Sequence, residues 1–270
     1  MQEKKWDIYV YGDVNIDIVI PGVEALPPKG EEHDVATMKT LVGGGAALFT
    51  LGTGKLGLKA VFQGEIGNDF YGSMIQSEFA EKNIDTALLA VNQEIGTGIS
   101  LSFTNEQDRC FLTYRGTNQC LNITKINLEK VRQARHVHVT GYSGSVNHEQ
   151  YAEILPKIQE LTDATVSFDL GWDSTGEWNH TIYQLFPHID VLFMNETEAI
   201  HYSGKPTPEQ AAEDFGRYCS HVVIKLGKSG SIAYRDGNFY GAKGYSVVSV
   251  DSTGAGDSFN AGYIYAFLRG

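Results

Sequence analysis

Several features that would assign a sequence to a particular class of protein are scarce in this one. Its three cysteines, Cys110, Cys120 and Cys219, show no C-x-x-C spacing, which argues against a disulfide framework and against a zinc knuckle. No apolar run is long enough to span a bilayer, and the first residues lack the apolar core of a signal peptide. We therefore expect a cytoplasmic protein with free thiols and no membrane partner.

Positive charge is also scarce. The 270 residues include 21 lysines and arginines against 33 aspartates and glutamates, which gives a net charge of −12. Because there is no dense basic run, we expect no nucleic-acid partner, and any bound polyphosphate must be held by local amides, a metal and a few cations. The hydrophobic content of 42% is ordinary for a globular protein and is sufficient for one sizeable domain.

Short β-prone segments alternate with longer segments of helical period along the chain. This alternation predicts a doubly wound α/β fold, in which a mostly parallel sheet is flanked by helices, within a single domain over residues 1–270. The predicted strands of this sheet are residues 8–11, 60–63, 136–140, 165–169, 191–194 and 222–226. The predicted helices are residues 46–54, 70–82, 148–160, 196–202 and 208–218.

Four further β-prone segments interrupt this alternation. They are residues 16–23, 35–42, 98–103 and 109–114, and residues 105–108 between the last two have the composition of a hairpin turn. We predict a small antiparallel β sheet from roughly residues 16–42 and 97–116 that covers a site as a lid. Its exposed strands are a candidate surface for a homodimer.

The most informative local pattern is the run Asp-Ser-Thr-Gly-Ala-Gly-Asp at residues 251–257, which reads as a tight turn between a strand and a helix. The first amides of a helix lack intrahelical partners, so those of Ala255, Gly256 and Asp257 can bind phosphate oxygens, and Gly254 leaves the approach open. A carboxylate in such a turn can take the proton from an attacking hydroxyl. An ordinary N-cap and packing turn explains the same residues equally well.

Two N-terminal segments present groups suited to a small polar ligand. Asn15 and Asp17 lie two residues apart, just beyond the first predicted strand, where ligands of open α/β sheets bind. An amide beside a carboxylate suits neighbouring sugar hydroxyls, although an Asx-rich turn is the simpler interpretation. Gly43, Gly44 and Gly45 open a predicted helix and leave room for a substrate to approach the backbone.

Other polar residues suit a metal or a phosphate. Asn195 and Glu198 follow a predicted strand in a pattern typical of a helix cap, and the same oxygens can orient the waters of a Mg²⁺ ion. One cap can serve both purposes. Arg115 is a candidate at the substrate edge because arginine geometry suits phosphate, although a solvated loop cation is the simpler interpretation.

Two patterns indicate other chemistry, but their context argues against it. Residues 52–57 match the dinucleotide fingerprint G-x-G-x-x-G, yet they end a predicted helix instead of following a strand, so a nicotinamide-dependent dehydrogenase is not indicated. His136 and His138 are spaced as two zinc ligands on a strand would be, but no third ligand is near them in the sequence, and strand histidines are more often packed in a core.

With the Ser-Phe-Asn-Ala-Gly that follows it, the run at 251–257 resembles the nucleotide-site signature of the ribokinase-like (PfkB) carbohydrate kinases. Further motifs similar to those of the family occur in family order: G-x-x-N-x-D at 12–17, Gly-Gly at 43–44, N-x-x-E at 195–198 and L-G-x-x-G at 226–230. The resemblance implies an ATP-dependent sugar kinase that transfers the γ-phosphoryl group to a primary hydroxyl of a small carbohydrate.

The resemblance also implies a role for each candidate residue. The implied general base is Asp257, assisted by the turn residues Gly254, Ala255 and Gly256. Sugar binding is implied for Asn15, Asp17, Gly43, Gly44 and Gly45. ATP binding is implied for Asn195, Lys225, Gly227, Gly230 and Ser252. Mg²⁺ is implied to bind through water to Asn195 and Glu198.

The chain departs from the family pattern in three places. Leu48 occupies a position where the family usually carries asparagine, and Asp169-Leu170-Gly171 replaces a D-P-N-like segment. Family members also continue well beyond the signature helix, so we expect this chain to be C-terminally incomplete. These departures leave the sugar open, with a nucleoside kinase on the same scaffold and a catalytically silent ligand-binding relative as alternatives.

Overall fold

The computed structural model describes residues 4–23, 27–104, 109–247 and 253–270. The strands are β1 (Trp6–Tyr11), β2 (Asn15–Pro21), β3 (Lys39–Gly43), β4 (Ala60–Gly67), β5 (Asp85–Asn92), β6 (Gly98–Thr104), β7 (Arg109–Tyr114), β8 (Ala134–Val139), β9 (Thr165–Asp169), β10 (Val191–Asn195), β11 (His221–Lys225), β12 (Ser231–Arg235) and β13 (Asn238–Ala242). The helices are α1 (Gly45–Lys55), α2 (Phe70–Glu81), α3 (Leu128–Val131), α4 (His148–Leu161), α5 (Glu196–Ser203), α6 (Pro208–Phe215) and α7 (Ala255–Phe267). Among these helices, none is long and apolar enough to cross a membrane.

Nine strands of the described ranges form one large sheet in the order β13-β12-β11-β10-β9-β8-β1-β4-β5. All pairings between β11 and β5 in this order are parallel. The two pairings at the other edge, β11–β12 and β12–β13, are antiparallel. From β1 the chain extends the sheet first through β4 and β5 and later, on the other side, from β8 onward, so the strand order reverses at β1. Ligands of such sheets bind beyond the carboxyl ends of the strands at this reversal. The predicted doubly wound α/β fold is confirmed.

A smaller sheet has the order β3-β2-β6-β7. Its outer pairings, β2–β3 and β6–β7, are antiparallel, whereas β2 and β6 pair in parallel because both leave the main sheet in the same direction, after β1 and after β5. The strand expected over 35–42 begins only at Lys39. The predicted turn at 105–108 and residues 248–252, including Ser252, lie outside the described residues. That this sheet acts as a lid stays a prediction.

The alternating side chains of β1 divide the core between the two faces of the main sheet. Tyr9 and Tyr11 pack on one face with α3, α4, α5 and α6, whereas Ile8 and Val10 pack on the other with α1, α2 and α7. All four side chains are buried. The polar turns that follow the strands are therefore left at the rim, where the candidate site residues lie.

The glycine pattern at residues 52–57 and the histidine pair at 136 and 138 both have structural roles. Residues 52–57 lie at the end of α1 and before β4, and a Cβ on Gly52 would lie 2.8 Å from the Cβ of Ala261, so this glycine permits close packing of α1 on α7. His136 and His138 are buried on β8 and hydrogen-bond to one serine hydroxyl of β9 at 2.7 and 2.8 Å. Burial lowers the pKa of both rings, that of His138 to about 3, so both are neutral residues of the core.

Candidate active site

Residues 254–257, here called the α7 turn, begin the last helix of the chain. Gly254 precedes α7 with φ +71°, a conformation that favours glycine, and it offers no side-chain cap. The backbone N–H groups of Ala255 and Gly256 are thus left without intrahelical partners at the positive end of the helix dipole. A Cβ on Gly254 would lie 3.0 Å from Leu48 Cδ1, so α1 supports the turn from behind. The geometry suits an anion.

The carboxylate of Asp257 lies where the α7 turn meets the start of α1. A Cβ on Gly45 would lie 3.3 Å from Asp257 Oδ1, 3.7 Å from Thr140 Oγ1 and 4.0 Å from Asp13 Oδ1. Oxygens from α7, from the loop after β8 and from the loop after β1 therefore converge above a residue without a side chain. Burial, and then the charge of Asp169, raise the pKa of Asp257 to about 7. A carboxylate near this value can accept a proton at neutral pH.

The candidate sugar-binding residues come together where β2 begins and β3 ends. Asn15 Nδ2 donates to Asp17 Oδ1 at 2.7 Å, and the carboxylate of Asp17 lies directly against Gly43, where no side chain would fit. At Gly44 the φ angle is +93°, and a Cβ there would lie 2.7 Å from the carbonyl oxygen of Asp13. Glycine is therefore required at 43 and 44 for the end of β3 to lie this close to the Asp17 side chain and to the loop before β2.

Asp13 connects the loop after β1 to the start of α1. The sequence alone did not indicate a role for it. Its Oδ2 accepts from the Gly45 amide at 3.0 Å and its Oδ1 from the Ala46 amide at 3.2 Å. These bonds cap α1, which has no cap from its own N-cap residue Gly44. Asp13 also raises the pKa of Asp257, by less than burial and Asp169 do.

A cavity of about 570 Å³ opens beside this cluster. One side consists of the loops after β1, β8 and β9, and the other consists of the end of β7 and the turn that follows it. Asp13, Asn15 and Gly45 are among its lining residues, and Tyr114 and Trp172 are aromatic residues of the lining. The volume exceeds what a monosaccharide needs and falls in the range typical of ligand pockets.

Arg115 lines this cavity although it is exposed. It is the one lysine, arginine or histidine among the described residues of the lining. The backbone after it is anchored: the Thr117 amide donates to the Gly96 carbonyl at 3.0 Å, and Asn118 Oδ1 accepts from the Val14 amide at 3.1 Å. The side chain is therefore projected from a fixed point at the junction of the two sheets.

Asn195 and Glu198 form a complete capping box at the start of α5. The Glu198 amide donates to Asn195 Oδ1, and the Asn195 amide donates to Glu198 Oε2, each at 2.8 Å. Glu198 is buried, and burial followed by the charge of Asp169 raises its pKa. The capping interpretation is thus realised. The metal role is compatible with it, because one carboxylate oxygen of Glu198 takes no part in the cap, and Asn195 Oδ1 has a second lone pair besides the one that accepts the cap bond.

Lys225 ends β11, paired in register with Asn195 on β10, and Gly227 and Gly230 lie in the turn to β12. Its ammonium bonds both oxygens of Asp169, at 3.2 and 2.9 Å, and lies beside the α7 turn. The structure thus brings the L-G-x-x-G and N-x-x-E motifs to adjacent strand ends. Ser252 is outside the described residues.

Two more residues of this region were missed as functional candidates. Asp169 is buried at the end of β9, and Asn260, fully buried on α7, donates to its Oδ2 at 2.6 Å. A signal was available for Asp169, because Asp13, Asp169, Asn195 and Lys225 all stand at or just after the carboxyl ends of parallel strands, where ligands of this fold bind. No comparable signal marked Asn260, which lies inside a helix.

Comparison with known proteins agrees with this arrangement. The family model described as pfkB family carbohydrate kinase matches residues 5–270. A 5-dehydro-2-deoxygluconokinase of Bacillus velezensis is 28% identical, over 100% of this chain and 84% of the relative.

Solved structures show the same fold. The ribokinase of Arabidopsis thaliana, complexed with ribose and ATP, superposes with a TM-score of 0.84 and 24% identity, over 98% of this chain and 86% of that one. A putative ribokinase II of E. coli, in complex with ATP and Mg²⁺, gives 0.82 and 20%, over 98% and 87%. The expected ribokinase-like fold and the expected sugar kinase are confirmed by these matches together: the chain belongs to the pfkB family of carbohydrate kinases.

Proposed function

We propose that this chain transfers the γ-phosphoryl group of ATP to a hydroxyl of a small sugar bound in the 570 Å³ cavity, with Asp257 as general base. The observation that carries the proposal is the position of Asp257. Its carboxylate stands between the amides of the α7 turn, which suit a phosphate, and Gly45, which lines the cavity. An acceptor hydroxyl and a phosphoryl group can therefore meet beside one proton acceptor.

In this mechanism the acceptor oxygen forms a bond to the γ-phosphorus while the bond from that phosphorus to the β–γ bridging oxygen breaks. The proton of the hydroxyl passes to Asp257, and ADP leaves with the electron pair of the broken bond. The amides of residues 254–257 stabilise the charge of the transferring group. Asn15, Asp17 and the glycines at 43–45 hold the sugar hydroxyls, and closure of the smaller sheet excludes water that would compete as acceptor.

The nucleotide and metal roles rest on the strand ends beside the α7 turn. Lys225, Gly227 and Gly230, with Ser252, would lie along ATP. Asn195 and Glu198 fit a hydrated Mg²⁺ because both offer oxygen ligands. Only one carboxylate oxygen of Glu198 accepts the cap bond, so the other can accept a hydrogen bond from a metal-bound water. When bound, Mg²⁺ supplies charge neutralisation on the phosphates.

We further propose that the acceptor is an acidic sugar. Arg115 is the cation of the described cavity lining, and its guanidinium can bind a carboxylate through two parallel hydrogen bonds. The relative from B. velezensis is named for a gluconate, which is a carboxylated sugar derivative. Arg115 and Gly45 line the same cavity, so a substrate whose carboxylate is held by Arg115 can present a hydroxyl towards Gly45 and the Asp257 carboxylate beside it.

A substrate panel in an ADP-release assay tests both statements. We expect turnover with MgATP and a six-carbon sugar acid, and weaker turnover with neutral pentoses, hexoses and nucleosides. Arg115→Gln should raise KM for the acid about 10-fold or more, in line with loss of a charged hydrogen bond, and change KM for a neutral sugar little. Arg132→Gln, an exposed arginine of an ion pair with Glu129, is the matched control.

The outcomes separate the alternatives. Faster turnover of a nucleoside than of any sugar would show that the chain is a nucleoside kinase on the same scaffold. Ligand binding without ADP release would indicate the silent relative. Equal KM changes for acidic and neutral sugars in Arg115→Gln would remove the acidic class and leave the kinase itself in place.

We also propose a homodimer through the smaller sheet. Ile18, Ile99, Leu101, Leu112 and Tyr114 line an apolar depression on one of its faces, and Leu112 and Tyr114 are about half exposed. An exposed apolar face of this kind can be covered by a second copy around a two-fold axis. Light scattering should report a dimer that Leu112→Glu converts to a monomer, with Leu56→Glu, at an exposed leucine just after α1, as control. A monomeric wild-type chain would contradict the proposal.

A further inference from the structure

Beneath the α7 turn, three polar side chains from three elements form one cluster, here called the Asp169 cluster. Asp169 ends β9, Lys225 ends β11, and Asn260 projects from the second turn of α7. The Lys225 ammonium bonds Asp169 Oδ1 at 3.2 Å and Oδ2 at 2.9 Å, and Asn260 Nδ2 donates to Oδ2 at 2.6 Å. The pair is shielded from solvent: the side chains of Asp169 and Lys225 are 13% and 15% exposed.

Stability alone does not account for this cluster. A buried ion pair gains little over apolar side chains of the same size, because desolvation of both charges offsets their attraction. Asn260 Oδ1 is buried and accepts no hydrogen bond from the described residues, so the amide is oriented by Asp169 alone. A cluster that is costly to bury and only partly satisfied calls for a role beyond packing.

The position of Lys225 indicates that role. A Cβ on Gly256 would lie 3.4 Å from Lys225 Nζ, so the ammonium rests against the backbone of the α7 turn. The N-terminal end of a helix carries positive potential and does not attract a cation. Asp169 is what holds the ammonium there, and the result is a turn whose amides and cation together favour an anion.

We propose that Asp169 is a positioning residue: with Asn260 it holds the Lys225 ammonium against the backbone of the α7 turn. This inference rests on the proposed function, because it assigns the cluster to phosphate binding and to the proton transfer at Asp257. The Lys225 ammonium can then contact the phosphoryl group from a fixed position.

The charges around Asp257 come from three elements. Asp13 lies on the loop after β1, Asp169 on β9 and Lys225 on β11. Burial and the two carboxylates raise the pKa of Asp257, and the ammonium lowers it. Glu198 on α5 interacts electrostatically with both Asp169 and Lys225, so its charge also acts on this cluster. Removing one member of the pair therefore moves the pKa of Asp257 one way, and removing the other moves it the opposite way.

The test uses the pH dependence of kcat/KM for the acceptor at saturating MgATP. Asp169→Asn should move the acid limb to lower pH by about one unit, and Lys225→Met should move it to higher pH by a similar amount. Both should raise KM for ATP. The double variant should return the limb close to the wild-type value while KM for ATP stays high. Asp163→Asn, at a surface ion pair with Lys4, is the matched control.

The double variant also guards against misfolding, since it leaves no unpaired buried charge when either single variant does not fold. Shifts of both single variants in the same direction, or limbs unchanged in all variants, would overturn the inference. Carbon-13 NMR titration of the Asp257 carboxyl in the same proteins reports the shifts without turnover. If the wild type turns over no sugar, the proposed function fails, while the NMR shifts still decide the role of Asp169.

Discussion

Replacing Asp257 with asparagine should nearly abolish phosphoryl transfer and, at neutral pH, make the protein more stable. Both effects follow from one arrangement, in which a carboxylate is held in a shielded place beside the charges of Asp13 and Asp169. Asparagine has almost the same shape and carries no charge. It cannot accept the acceptor proton, so turnover should fall by at least about 100-fold, the scale of general-base catalysis.

The size of the stabilisation can be worked from the pKa of Asp257, which the fold raises from 3.8 to about 7. At about 1.4 kcal/mol per pKa unit, ionised Asp257 lowers the free energy of unfolding by at most roughly 4 kcal/mol. Because the side chain is partly exposed, solvent screens this effect, and we expect about 2 kcal/mol. The folded state binds the proton more tightly than the unfolded chain. The destabilisation is therefore complete above pH 7, shrinks as pH falls, and is absent below about pH 4.

The assay pairs urea unfolding at several pH values with ADP release. At pH 8, Asp257→Asn should have the higher unfolding free energy, and at pH 5 the gain should be clearly smaller. Asp163→Asn, at an exposed aspartate remote from the site, should show no such pH-dependent gain. A gain of the same size at both pH values, or none at pH 8, would show that the fold does not raise the pKa of Asp257. Unchanged turnover would remove it as the base.

Three further substitutions test the surroundings. Gly45→Ala adds a Cβ 3.3 Å from Asp257 Oδ1, so kcat should fall about 10-fold with KM for ATP little changed in steady-state assays. Gly254→Ala forces alanine to φ +71°, which should cost about 1 kcal/mol in urea unfolding and raise KM for ATP; equal stability would contradict the strained turn. Glu198→Gln should raise the Mg²⁺ concentration for half-maximal rate, and an unchanged Mg²⁺ titration would confine Glu198 to its capping role.

The parts of the fold that the sequence predicts are those with local causes. Buried parallel strands appear as short apolar runs, and the strand predicted at residues 165–169 coincides with β9. The α7 turn was predictable because glycines and a following helix define an anion-binding geometry within seven residues. The same holds for the capping box of Asn195 and Glu198, whose partners are three residues apart.

What the sequence does not predict depends on distant residues meeting. Asp169 lies 56 residues from Lys225 and 91 from Asn260, so their cluster exists only once β9, β11 and α7 are assembled. The parallel pairing of β2 with β6 likewise depends on both strands leaving the main sheet in one direction. From the sequence alone, Arg115 is interpreted as a solvated loop residue, because the cavity that it lines is formed by residues distant in the sequence.

The most direct test of the central claim is a crystal structure with Mg²⁺, the non-hydrolysable β,γ-imido analogue of ATP and a six-carbon sugar acid. We expect the γ-phosphate on the amides of residues 254–257, with one sugar hydroxyl about 3 Å from an Asp257 carboxylate oxygen. A γ-phosphate bound away from the α7 turn, or a sugar whose hydroxyls all lie out of reach of Asp257, would contradict it.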